Sequence, residues 1–331
     1  MPHLMSRAPT QAVSPDAAVP PLAPGARRYA VFGGVYNNNW ALQAVLADAA
    51  AHGALEIFCL GDLGGFGPLP DRVFPLLIDR GVTVMQGNYD HSIGHGLTDC
   101  ACGYSDPRDN HYARISYAYT QSKTSERWLP YLRALPPFLR RDWGGFRVHM
   151  AHGSPRRVNE FLWESTSSDA FLRRLLLAYD ADVLLITHTG IPWVRRLGRT
   201  WGGGVVVNVG AIGRPANDGR TDVWYALIDV PAVSLSRADR SLSAAAPPAQ
   251  TVAVGSGVAV GDSVDMGTPA PGTAAEKLHV TLRPVAYDFE RLAADMRAEA
   301  LPVEFIETIT SGYWTTCLEI LPARERSRGI Y

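Results

Sequence analysis

Short apolar runs that end in glycine recur along this chain, and they alternate with stretches carrying a helical apolar stripe. The first run is YAVFGG at 29–34; Asn37, Asn38 and Asn39 follow it and can cap a helix predicted over 40–53. LEIFCLGD at 55–62 predicts a second strand, PDRVFPLLIDRG at 70–81 a second helix with proline near its first turn, and VTVMQGN at 82–88 a third strand. This alternation predicts an α/β domain whose parallel strands are joined by right-handed crossovers, with ligand-binding loops at the C-terminal ends of the strands. Residues 111–135 read as two helices, 146–155 as a strand running into a loop, 166–180 as a helix and 182–190 as a strand. Three short strands with glycine turns then follow within 196–230, which predicts a second sheet.

Two stretches lack any apolar period. Residues 1–26 are rich in Pro and Ala and read as a disordered arm, and 233–277 shift to Ala, Gly, Ser and Pro, the composition of a low-complexity insertion. Such an insertion costs little in closure entropy if it joins paired strands. The chain resumes over 278–331, with LHVTLRPV expected to pair in the second sheet and a helix at 287–300 that turns Phe289, Leu292 and Met296 to the core. One main domain is therefore expected over 27–232, completed by 278–331.

The 331 residues are 47% hydrophobic, enough for a substantial core, and the net charge of −1 argues against the basic footprint of a nucleic-acid binder. No apolar run has the length of a membrane span, and the N-terminus does not read as a signal peptide, so a cytoplasmic protein without membrane partners is expected. Four cysteines are too few for a disulfide framework. Cys59 and Cys317 lie in strand-like apolar runs. Cys100 and Cys102 share a polar loop with Asp109 and His111, read as an ordered loop beside a pocket, with a metal site there as the less favoured alternative.

Chemistry concentrates in five short motifs: GDLGGFGP from Gly61, GNYD from Gly87, HGSP from His152, THTG from Thr187 and NVGAIGRP from Asn208. In this order and spacing they resemble the calcineurin-like metallophosphoesterase family. The resemblance implies a two-sheet sandwich flanked by helices, and a centre with two metal ions. It also implies an Asp-x-His pair after the first strand, where this chain has Gly33 and Val35, and a second His in the last motif, where it has Gly190. The four ligands that remain by the family pattern are Asp62, Asn88, His152 and His188. The three missing ones belong to one ion, so a single divalent transition metal is expected; one carboxylate, one amide and two imidazoles suit Mn, Fe or Zn.

The family's GNHD histidine, which protonates the leaving group, is Tyr89 here, a poor acid near neutrality with a reference pKa of about 10. His91 is the substitute candidate, and Asp90 either orients its neighbours or caps a turn. Tyr36, Asn37 and Asn38 border the side without ligands and are candidates for binding an oxyanion, while Arg156, Arg157 and Arg214 are candidate anion clamps. Trp163 and Trp193 are candidate walls for a substrate, and His149 is expected in a core or supporting role. The leading expectation is a hydrolase of a small phosphorylated metabolite, a phosphomonoester or phosphodiester, using one metal. The alternatives are a mononuclear metalloenzyme with lyase or redox chemistry, and a non-catalytic binding protein on the same fold.

Overall fold

The computed structural model describes residues 19–198, 203–232 and 278–329. The insertion expected at 233–277 and residues 1–18 of the expected arm lie outside them. Residues 19–26 run along the domain: Val19 packs on the core, and the Pro20 carbonyl accepts a hydrogen bond of 2.8 Å from Arg28.

Two five-stranded sheets form the centre. The first has the order β10 (His279–Val285), β9 (Val223–Val230), β1 (Arg27–Phe32), β2 (Glu56–Cys59) and β3 (Thr83–Val84). The second has β4 (Leu139–Trp143), β5 (Phe146–Met150), β6 (Val183–Ile186), β8 (Val205–Asn208) and β7 (Trp193–Arg196). β1, β2 and β3 are parallel, as are β5, β6 and β8; β9, β10, β4 and β7 pair antiparallel.

Continuous apolar strands are what a sheet covered on both faces requires. In β1, Tyr29 and Val31 enter the core between the sheets, whereas Ala30 and Phe32 enter the core under the helices. In β6, Val183 and Leu185 face the inter-sheet core and Leu184 and Ile186 the opposite layer, against α6 (Asp169–Ala178). The helical layer over the first sheet contains α1 (Asn39–Ala51), α2 (Val73–Asp79), α3 (Asn88–Gly94), α4 (Pro107–Lys123) and α5 (Leu129–Ala134). Near the C-terminus, α7 (Phe289–Ala298) and α8 (Val303–Ser311) share a core of their own with residues of α4, and α9 (Ala323–Arg326) follows.

Two strands are placed differently from expectation, and β9, expected in the second sheet, pairs antiparallel with β1 in the first. β10 does not join the second sheet; it lies antiparallel to β9 at the edge of the first, with Val285 opposite Val223. A strand's own pattern reports that it is half buried, not which sheet it borders. Cys317 is buried, as expected, but outside any strand.

Candidate metal centre

The parallel strands deliver the site. Asp62 follows β2, Asn88 follows β3, His152 follows β5 and His188 follows β6, so all four lie at the C-terminal ends of strands. Among the described residues, Asp62, His152 and His188 form a group whose ligand atoms all lie within 4.8 Å of one another. His152 Nε2 is 3.2 Å from Asp62 Oδ2 and 3.1 Å from His188 Nδ1. Donors on a tetrahedral shell of radius about 2.1 Å stand about 3.4 Å apart, so these spacings fit one transition ion. His152 Nδ1–H donates to the Leu60 carbonyl at 2.7 Å, which turns the Nε2 lone pair toward the cluster. The side chain of Asn88 donates to the Cys100 carbonyl at 2.9 Å, and its Oδ1 is buried with no partner among the described residues. That orphaned amide oxygen, on the residue before Tyr89 whose backbone N–H donates to Asp62 at 3.0 Å, makes Asn88 the candidate fourth donor.

Electrostatics agree with a site built for a cation. Burial and the neighbouring His152 charge hold His188 down, to about 3. Burial opposes a charge on His152 too, but Asp62 beside it outweighs that cost and raises it above its ordinary value. Backbone strain gathers at the same place: Asp62 and His188 have φ of 55° and 47°, and Tyr36 and Asn37 have 49° and 60°. Left-handed non-glycine residues of this kind each cost about 1–3 kcal/mol and cluster at functional sites.

Three groups position the ligands, and of these sequence reasoning identifies Asp90 alone. Asp90 accepts from the backbone N–H groups of Asp62, Leu63 and Gly87 at 2.7, 2.9 and 2.8 Å, tying the second and third ligand loops together. Burial and Asp62 push its carboxyl up to about 6. Asn208 donates to the Thr187 carbonyl and to Thr189 Oγ1 and thereby fixes the turn that carries His188. The Phe161 ring lies 4.5 Å from that of His188. The NVGAIGRP motif contained the Asn208 signal; Phe161 carried none.

Other expected site residues go elsewhere. Tyr89 donates its hydroxyl to Ser116 at 3.0 Å and packs on Tyr117, in the helix-side core. His91 is exposed, against His95. Both belong to α3, where Asn88 and Tyr89 are successive and so point about 100° apart. Asn37 spends its amide on the Gly65 and Gly67 carbonyls, at 2.8 and 2.9 Å, and Asn38 caps α1 by accepting from Ala41 N–H. Arg156 is exposed and paired with Glu160, and Arg157 is exposed. Trp163 and Trp193 are buried in packing. His149 lies in a cleft with Phe138, Arg140 and Tyr179. Asp109 accepts from the backbone of Glu319 and Ile320, His111 is exposed, and Cys100 and Cys102 are joined in a disulfide.

Of the positions that lack the family's ligands, Gly33 is closed by sterics and Gly190 is disfavoured for a side chain only by its backbone. A Cβ at Gly33 would stand 2.7 Å from Thr187 Cγ2, and Thr187 is pinned by donating to the Gly210 carbonyl at 2.6 Å. At Gly190, with φ 71°, a Cβ would meet Trp314 at 3.5 Å. Val35 is buried in the helix-side core, and the Tyr36 ring closes over Gly34, Gly65 and Gly213.

No family model matches the sequence. An uncharacterized protein of Methanocaldococcus jannaschii is 26% identical over 213 residues, which cover 60% of this chain and 82% of that protein. The crystal structure of a metallophosphoesterase from Sphaerobacter thermophilus aligns with a TM-score of 0.58 at 22% identity, covering 87% of this chain and 99% of that one. A hypothetical protein from Pyrococcus horikoshii aligns over the same shares with a TM-score of 0.61 at 20% identity. This chain thus has the calcineurin-like metallophosphoesterase fold, with Asp62, His152 and His188 as its candidate metal site.

Proposed function

We propose that the protein is a hydrolase of a small phosphorylated metabolite, working with one divalent transition metal of the Mn, Fe or Zn type. The observation that carries this reading is the contrast between the two halves of the centre: Asp62, His152 and His188 converge, while Gly33 and Gly190 face Thr187 and Trp314. When bound, such an ion supplies a Lewis acid for a phosphoryl oxygen and lowers the pKa of water. The chain's own part is to hold Asp62 in place through Asp90, to fix the ring of His152 through Leu60, and to exclude solvent: Asp62, Asn88 and His152 are at most 3% exposed and His188 is 8% exposed.

The placement of Tyr89 and His91 supports a second reading. With the Tyr89 hydroxyl on Ser116 and His91 at the surface, neither is aligned to protonate a leaving group. That favours non-phosphoryl metal chemistry or ligand binding over ester hydrolysis. An aryl phosphate with a good leaving group separates the two readings. The metal-loaded protein should hydrolyse it, and His188→Ala should lower metal affinity by about 100-fold and abolish turnover. An ion retained tightly without any hydrolysis transfers the assignment to the second reading.

A further inference from the structure

Residues 98–105 pass beside the metal centre as irregular backbone between α3 and α4. Among the described residues, no backbone-to-backbone hydrogen bond joins this segment to the rest of the chain. Its order comes from side chains and from one covalent link, the disulfide between Cys100 and Cys102, which are 6% and 8% exposed. Asp99 accepts from the Ala101 N–H at 2.7 Å, and Asn159 donates to the Ala101 carbonyl at 2.9 Å. The bridge spans a single residue. A disulfide closing so short a loop removes little freedom from the unfolded chain, so general stability does not account for it.

The segment does contact two of the candidate ligands. Asn88 Nδ2 donates to the Cys100 carbonyl at 2.9 Å and lies 3.5 Å from Cys102 Sγ. An amide is planar, so fixing its nitrogen also aims its oxygen, and Asn88 Oδ1 is the buried atom left without a partner. The Cys102 backbone stands close enough to the His188 ring to favour a proton on it. Between the two cysteines, Ala101 is held at φ 49°, a left-handed conformation unfavourable for alanine.

Resting on the metal-dependent reading above, we propose that Cys100 and Cys102 form a reversible modification site. Their disulfide clamps Asn88 on the centre, and reduction by a dithiol releases the clamp and weakens metal binding. One dithiol sulfur attacks a cysteine sulfur, which breaks the Cys100–Cys102 bond and forms a mixed disulfide; the second dithiol sulfur then displaces that cysteine. Two electrons and two protons pass to the protein, which keeps two thiols, and the dithiol leaves as a disulfide. With the ring open, no covalent constraint holds Ala101 left-handed. The Cys100 carbonyl then turns from Asn88, and Oδ1 loses its aim. Groups that orient metal ligands in this way are worth about 10–100-fold in metal affinity.

The test is calorimetric titration of the metal-free full chain with Mn, which thiols bind poorly, before and after reduction. Thiol counting after denaturation defines the states: Cys59 and Cys317 alone in the oxidised chain, all four cysteines in the reduced one. The reduced chain should bind Mn about tenfold or more weakly, and reoxidation should restore the affinity. Cys100→Ser combined with Cys102→Ser should match the reduced chain and ignore reductant; if it does not fold, the reduction cycle on the wild type decides. In Asn88→Ala, which has no amide to clamp, reduction should leave Mn affinity unchanged, and a further loss there overturns the proposal. Equal affinity in the oxidised and reduced wild type also overturns it, as does tighter binding after reduction, which would make a cysteine thiolate a ligand. An oxidised chain that binds no Mn sinks the metal reading and this proposal with it, so the two failures are distinguishable.

Discussion

Gly33 and Thr187 decide whether a side chain fits where the family's first aspartate stands. Gly33 has no room for any side chain while Thr187 stands 2.7 Å from where its Cβ would be. Restoring the family's aspartate by Gly33→Asp should therefore add no second ion; it should overpack the junction of the two sheets and destabilise the fold by about 1–3 kcal/mol or more. Thermal unfolding with metal analysis checks this, and a variant of unchanged stability that gains an ion would show the position to be open. The candidate ligands were legible because each closes an apolar strand within a motif. Side-chain direction was not. Asn37 and Asn38 stood in the right loop, yet their amides are consumed by the Gly65 and Gly67 carbonyls and by the Ala41 N–H of α1. Arg214 was legible as a cation near a ligand loop, whereas the Trp314 ring on which it is buried, 3.5 Å from its guanidinium carbon, comes from a segment about a hundred residues away and was invisible locally.

At the level of elements, the strand and helix alternation through β3 was readable because each unit buries one face with a clear period. The short β4 escaped because LRRDW carries two arginines and an aspartate and gains its order by pairing with β5. α3 escaped because it begins on the ligand Asn88 itself. Strand parity also explains His149: it stands three residues before His152, so the two take opposite faces of the pleat, and His149 packs against Phe138 and Tyr179 instead of the centre. Burial and the Arg140 charge depress its pKa from 6.5 to about 4. A histidine with a lowered folded pKa binds fewer protons folded than unfolded, so stability is full above pH 6.5 and falls as the pH drops toward 4. That window is worth about 3 kcal/mol. His149→Gln should flatten this part of the pH dependence in chemical denaturation at pH 7 and 4.5, and an unchanged slope would assign the loss to other groups.

For the molecule as a whole, the sandwich explains why one side of the centre is rich in ligands and the other in packing. Loops from the two sheets meet edge to edge, with the Ile212 and Gly213 N–H groups donating to the Gly33 and Gly34 carbonyls at 3.0 and 2.7 Å. Thr187 therefore fills space beside β1, and Trp314 closes the far wall. The pairing of β10 with β9 completes the first sheet, and no reading of local pattern could have chosen that partner. Among the described residues no helix is long and apolar enough to cross a membrane. The most direct test of the arrangement is the number of transition ions bound per chain after reconstitution with Zn or Mn and removal of excess. One ion, lost on His188→Ala, is the predicted result; two ions, or none, would contradict a centre reduced to Asp62, Asn88, His152 and His188.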